Sequence, residues 1–131
     1  MKTSRQQKFL VAGGFVLALA CCRLPFTSDE NDDKERLQEM YNDILLLIGE
    51  PKCAGGDQCR YIAFGAKPCG GPGEYLVYSV SQTDSTTLSM LVGKYNRFQA
   101  EMNRKYGYAS DCGIPSPPVL GCLNGRCVDL R

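Results

Sequence analysis

Eight cysteines and no histidine define the chemistry open to this 131-residue chain. Cysteine can act as a nucleophile, a metal ligand, an acylation point or half of a disulfide. The lack of imidazole excludes Ser-His-Asp and Cys-His arrangements and any zinc site built on histidine. It also removes the commonest acid–base group. Six of the cysteines, Cys53, Cys59, Cys69, Cys112, Cys122 and Cys127, lie beyond the N-terminal region, and no two of them form a C-x-x-C pair. An even set at such spacings in a small exported chain reads as three disulfides rather than a metal centre. The six fall into two clusters, 53/59/69 and 112/122/127, separated by a long cysteine-free segment. Three cysteines cannot pair among themselves, so if all six pair internally, at least one bond joins the clusters. The spacing leaves the connectivity open.

The acidic residues offer less. Asp29-Glu30-Asn31-Asp32-Asp33 places Asp, Asn and Asp at alternate positions, as a calcium loop would. An EF-hand then needs glycine where Lys34 stands and glutamate where Met40 stands, so the pattern fails twice. Carboxylates in the first turn of a helix, favoured by its dipole, explain the run better. Glu74, with Asp57 or Asp111, is the pair from which an acid–base site would be drawn, but nothing in the spacing brings these side chains together. The expectation is a non-enzyme without a metal or cofactor.

The other two cysteines, Cys21 and Cys22, close an N-terminal segment of a different kind. Met1 to Lys8 carries Lys2, Arg5 and Lys8 and no acid, and Phe9 to Ala20 is uncharged and mostly apolar. A basic head, a short apolar middle and a small-residue end make a secretory signal. A membrane-spanning helix would need about 20 apolar residues. Leu17-Ala18-Leu19-Ala20-Cys21-Cys22 resembles the lipobox of bacterial lipoproteins. That resemblance implies cleavage before a cysteine that becomes diacylated and is often acylated again. Cleavage before Cys21 has Ala20 at the cut, and cleavage before Cys22 has the better-placed Leu19 upstream. Lipidation at Cys22 removes Cys21 and leaves no odd thiol. Ala18-Leu19-Ala20 is also an A-x-A site, whose use would release a soluble secreted protein. Two or more acyl chains anchor stably, whereas one binds only marginally. The resemblance further implies the outer membrane, since neither Cys22 nor Arg23 is the aspartate that retains such proteins at the inner one.

These residues must be positioned by the rest of the chain. Residues 1–21 read as the signal peptide, 22–31 as a tether and 32–131 as one small domain. Without residues 1–20 the chain has 12 basic and 14 acidic residues and no basic block, so nucleic acid is not an expected partner. Leu37, Met40, Tyr41, Ile44, Leu45 and Ile48 recur at helical spacing, and Gly49 and Pro51 end the run. A second amphipathic helix carries Leu88, Leu91, Val92, Tyr95, Phe98 and Met102, with Asp84 or Ser85 as cap and Gly107 as stop. Between them, Arg60–Phe64 and Glu74–Val80 read as antiparallel strands around Gly65–Gly73, which holds four glycines and two prolines. In the tail, Asn124-Gly125 signals a two-residue hairpin that sets Cys122 opposite Cys127. Those two either bond directly or turn inward to tie the hairpin to earlier loops.

The fold expected is α+β, a small disulfide-stapled domain with two amphipathic helices on a small antiparallel sheet and a C-terminal β-hairpin. Its most distinctive surface is the glycine–proline loop, where Lys67, Pro68, Gly70, Gly71 and Pro72 form a candidate binding loop around Cys69. The loop lacks the spacing of a phosphate-binding motif. Stiffness lowers the entropy cost of binding, which suits a protein-contacting loop. The function expected is an exported, lipid-anchored envelope module that binds or supports an unknown envelope partner. An inhibitor of a secreted protease or wall hydrolase is the alternative.

Overall fold

The computed structural model describes residues 29–131. The expected signal peptide (1–21), residues 22–28 of the expected tether (22–31) and both candidate lipidation sites, Cys21 and Cys22, lie outside the described residues. The element order is α1 (Glu30–Ile48), a 3-10 turn (Gly56–Gln58), β1 (Cys59–Phe64), β2 (Glu74–Ser79), α2 (Ser85–Tyr106), β3 (Leu120–Leu123) and β4 (Arg126–Asp129). This is the expected α+β domain: two helices, two small antiparallel sheets, three disulfides and a C-terminal hairpin. No described helix is long and apolar enough to cross a membrane.

Local chemistry sets the helix boundaries. Asp29 caps α1, and Gly49 closes it at φ +56° while its N–H donates to the Leu45 carbonyl. Asp84 caps α2 by accepting from the Thr86 and Thr87 N–H groups, and Gly107 ends it in the left-handed region. The helices run antiparallel. Asp33 near the start of α1 meets Lys105 and Tyr106 near the end of α2, and Thr83 before α2 donates its hydroxyl to the Ile48 carbonyl.

Both helices bury one stripe against one face of the β1–β2 ribbon. Ile44, Ile48, Phe64, Leu76, Tyr78, Leu88, Val92 and Tyr95 form the core, with Leu88 fully buried. Phe64 and Tyr95 stack with ring centroids 4.2 Å apart. At roughly 25 cal/mol per Å² of apolar surface, each large core side chain contributes about 1.5–3 kcal/mol.

The ribbon pairs Cys59 with Ser79 at one end and Phe64 with Glu74 at the other. Its second face carries Cys59, Tyr61 and Ala63 beside Ser79, Val77 and Tyr75, and it is covered only at the Cys59 end. Ser79 is fully buried there, although Tyr61 on the same face is 43% exposed. The cover is the β3–β4 hairpin. Cys53 N–H donates to the Gly125 carbonyl, and Cys127 N–H to the Pro51 carbonyl, so the segment before the 3-10 turn docks along β4. The strand stops at Ser79. Val80 donates its N–H to Gln58 and points outward, where the alternation in sequence extends the strand by one residue.

All three disulfides join the two cysteine clusters: Cys53–Cys122, Cys59–Cys127 and Cys69–Cys112. Parity requires only one such bond. The hairpin has the expected register, with Cys122 opposite Cys127, Asn124 at φ 50° and Gly125 at φ 75°. Of the two outcomes open in sequence, the inward one holds. Cys127 bonds Cys59 at the start of the ribbon and Cys122 bonds Cys53 in the segment before the 3-10 turn, so the two hairpin cysteines do not bond each other.

Candidate functional site

The glycine–proline loop leaves the ribbon at Phe64 and re-enters at Glu74. Three amide side chains of α2 fix its base. Asn96 Oδ1 accepts from the Gly65 N–H at 2.7 Å, Gln99 Oε1 accepts from the Ala66 N–H at 2.6 Å, and Asn103 Nδ2 donates to the Ala66 carbonyl at 2.7 Å. Residues 96, 99 and 103 follow helical spacing, so one stripe of α2 is given over to the loop backbone. The sequence reading missed this stripe. Three amides at three- and four-residue steps, beside an apolar face, were the available signal.

Beyond its base the loop closes on itself. Gly70 N–H donates to the Lys67 carbonyl at 2.9 Å, and Lys67 N–H donates to the Gly71 carbonyl at 3.0 Å. Gly65, Gly70 and Gly71 all have positive φ, the conformation that glycine adopts most readily.

The loop then grips the tail. Cys69 bonds Cys112. The Lys67 ammonium, only 19% exposed, donates to Asp111 Oδ1 at 2.7 Å and to the Gly113 carbonyl. This lysine holds the Asp111 carboxyl below its usual pKa, first by the hydrogen bond and then by its charge. Residues 108–119 form no regular structure. They run as a strap from the end of α2 to β3, pinned near the middle by Cys112.

Loop, strap and α2 enclose a cleft of about 330 Å³, lined by Lys67, Pro68, Gly70, Ala100, Asn103, Arg104 and Tyr108. Tyr108 is held by its hydroxyl, which donates to Glu30 Oε1 at 2.7 Å. Glu30 also accepts from Lys34, and together they lower its pKa, Lys34 contributing most. Of the candidate loop residues, Lys67, Pro68 and Gly70 thus reach the cleft, Gly71 lies against Ile114 of the strap, and Pro72 is half-buried.

Asp57 and Glu74 do not assemble. Asp57 lies beside the Cys59 end of the ribbon and Glu74 opens the other end, about 17 Å away at the rise of a strand. Asp111 is taken up by Lys67. Asp33, assigned in sequence to the helix dipole, is buried and accepts from the Lys105 ammonium and the Tyr106 hydroxyl, each at 2.7 Å. Asp33 raises the pKa of Lys105.

At the other end of the ribbon, the Sγ atoms of Cys53, Cys59 and Cys127 lie within 4.8 Å of one another. This is a thiolate-like cluster by distance alone. Each sulfur is already bonded to another sulfur, so none carries the lone thiolate a metal requires. A further shallow groove between the helices is lined by Arg36, Met40, Asp43, Leu91 and Lys94, with the Arg36 guanidinium 4.9 Å from the Phe98 ring centre.

Three disulfides point to an oxidising, exported location. Compared with family models, with curated proteins and with solved structures, the chain matches none.

Proposed function

We propose that the protein is an exported, lipid-anchored component of a bacterial cell envelope, acting as a non-enzymatic binding or structural module whose working surface is the clamped loop and its cleft. One observation carries this reading. The loop is held by a disulfide, an ion pair and three α2 amides, so it presents a fixed shape. Rigidity of that kind lowers the entropy cost of binding. The separation of Asp57 from Glu74, and the pairing of Asp111 with Lys67, support a binding role over acid–base catalysis. The lipobox-like segment supports the anchor, and the outer membrane is its proposed site. The partner is an envelope protein or the outer surface of a hydrolase. Lys67 is turned into the molecule, so an inhibitor would have to present Pro68, Cys69 and Gly70 to the enzyme instead of the lysine.

Intact mass of the protein from its native host, with and without reduction and alkylation, tests the reading. A membrane-bound species carrying acyl mass and no free thiol is the expected result. It would also assign the anchor to Cys21 or Cys22. A soluble species without lipid would overturn the anchored reading in favour of a secreted protein. Reproducible turnover of an envelope substrate by the purified domain would overturn the non-enzymatic one.

A further inference from the structure

The three disulfides differ in how far a solvent thiol can reach them: Cys59–Cys127 is buried, Cys53–Cys122 is half-buried and Cys69–Cys112 is exposed. Cys59 and Cys127 are 2% and 5% exposed, and their sulfurs sit in one cluster with Cys53 beneath the hairpin. Cys69 and Cys112 are both exposed, on segments without regular structure. Among the described residues, the one hydrogen bond to these sulfurs comes from the Ser110 hydroxyl to Cys69 Sγ at 3.9 Å, and the Ser110 carbonyl lies 3.9 Å from both sulfurs without a proton between them. Reduction of a disulfide begins with a thiolate reaching a sulfur, so access sets which bond opens. A buried bond is attacked only from a locally opened state, and its rate falls with the population of that state.

We propose that Cys69–Cys112 is a thiol-exchange site, opened by an external thiol while Cys53–Cys122 and Cys59–Cys127 stay closed, and that its opening releases the strap from the loop and widens the cleft. The chemistry is balanced by two thiols. A thiolate attacks one of the two sulfurs, forming a mixed disulfide and expelling the other cysteine as a thiolate, which takes up a proton. A second thiol attacks the mixed disulfide, releases the second cysteine as a thiol and leaves as the external disulfide. Two thiols are oxidised and one cystine is reduced. The reverse sequence closes the clamp.

The structure also shows what the opening would free. Around residue 112 the strap is held to the loop by the Lys67–Asp111 pair, the Lys67 contact with Gly113 and the packing of Ile114 on Gly71. The ion pair is largely solvent-exposed on the Asp111 side, and exposed pairs contribute little. The strap's ends remain fixed, by Tyr108 on Glu30 and by Val119, whose N–H donates to Asp129 and whose carbonyl accepts from Leu130. The loop base keeps its three amides. The middle of the strap would therefore swing while the core stays intact. Pro68 and Gly70 line the cleft beside Cys69, so its mouth changes with the bond. None of this depends on the lipid anchor.

The test treats the native mature protein with dithiothreitol, without denaturant, followed by acid quench, maleimide labelling and peptide mapping over time. Cys69 and Cys112 are expected to label first, faster than the other four by more than about tenfold, with a plateau at two thiols per chain. Simultaneous labelling of all six, or earlier opening of either hairpin bond, would overturn the proposal. In Cys69→Ser/Cys112→Ser the fast phase should vanish and the slow phase persist. A surviving fast phase would equally overturn it. At the two-thiol plateau, 15N relaxation should show new motion confined to residues 109–118, and an unchanged strap would refute the release. Reduced thioredoxin in place of dithiothreitol separates the source of the thiol. Faster opening by thioredoxin at equal dithiol concentration assigns the site to a protein dithiol, and slower opening assigns it to a small one.

Discussion

The two ends of the β1–β2 ribbon are closed in opposite ways. At the Cys59 end, two disulfides, a docked hairpin and backbone hydrogen bonds from Cys53 and Cys127 bury the junction. At the Phe64 end, a loop and a strap meet through one exposed disulfide and one lysine. Chain entropy does not explain the contrast. Cys59–Cys127 spans 68 residues and Cys69–Cys112 spans 43, and loop-closure arithmetic gives about 4 kcal/mol for either. What differs is the packing around each bond, and packing decides which is structural and which is available for chemistry.

The sharpest way to break this comparison is to delete each bond in turn. Cys53–Cys122 keeps the same chain ends together when Cys59–Cys127 is lost, so the remaining loop is short and entropy contributes only about 3 kcal/mol. Cys69–Cys112 closes a somewhat longer loop through its neighbours, for slightly more. Entropy alone therefore ranks the exposed bond equal or higher. Burial reverses the order. Cys59→Ala/Cys127→Ala also leaves a cavity beneath the hairpin, bringing its total to roughly 5 kcal/mol. Cys69→Ala/Cys112→Ala should cost roughly 2–3 kcal/mol, because the strap is barely ordered without the bond. Urea denaturation of both variants checks this. Equal losses, or the reverse order, would return the explanation to chain entropy.

A single substitution made at both ends sharpens it further. Gly125 has φ +75° at the hairpin turn and Gly70 has φ +92° at the loop apex. An added Cβ at Gly70 meets nothing within 4 Å, and one at Gly125 comes no nearer than 3.8 Å to the Cys53 carbonyl. Alanine at either site pays only backbone strain, about 1–2 kcal/mol. The consequences differ. Gly125 sets the register that aligns Cys122 with Cys127, so Gly125→Ala should lower the yield of native disulfides on oxidative refolding. Gly70→Ala should leave that yield unchanged. Peptide mapping after refolding reads both, and mispairing in Gly70→Ala would show that the loop end also directs pairing.

The same division governs what the sequence could reveal. Local signals were legible: helical periodicity, a cap at Asp84 or Ser85 (Asp84 in the structure), the stops at Gly49 and Gly107, and the Asn124-Gly125 turn each act within a few residues. The pairing of Cys53 with Cys122 was not, because it depends on the hairpin folding back across the start of the ribbon. The roles of Asp33, Asn96, Gln99 and Asn103 were hidden for the same reason. Each is a polar residue on a helix, and its partner lies at least 30 residues away. The sequence places Lys67 in the candidate binding loop, and its pairing with Asp111 depends on the strap crossing over it. The residues forming the candidate surface were visible in sequence, and the contacts that fix its shape were not.

The smallest expected difference lies in acid. A carboxyl whose folded pKa is depressed stabilises the fold above its unfolded value, and that contribution is lost as the pH falls through the folded pKa. Asp129 at the hairpin end is lowered to about 2, chiefly by the Arg131 guanidinium and then by the Arg131 and Val119 N–H groups. Asp111 at the strap is lowered by one lysine. Both carboxyls are exposed, so neither governs global stability. Locally, though, the lysine makes the strap's only ion pair among the described residues, while Asp129 is backed by the Val119–Leu130 backbone hydrogen bond. Acidification below the ordinary aspartate pKa of 3.8 should therefore loosen the strap first, with the hairpin contacts persisting to about pH 2. Carboxyl 13C titration with strap relaxation followed in parallel measures this. Cys69→Ala/Cys112→Ala should amplify the loosening, since Lys67 is then the strap's main tie to the loop. If Asp111 titrates at its ordinary value and the strap is unmoved, the disulfide alone holds that end, and the contrast with the buried end is wider still.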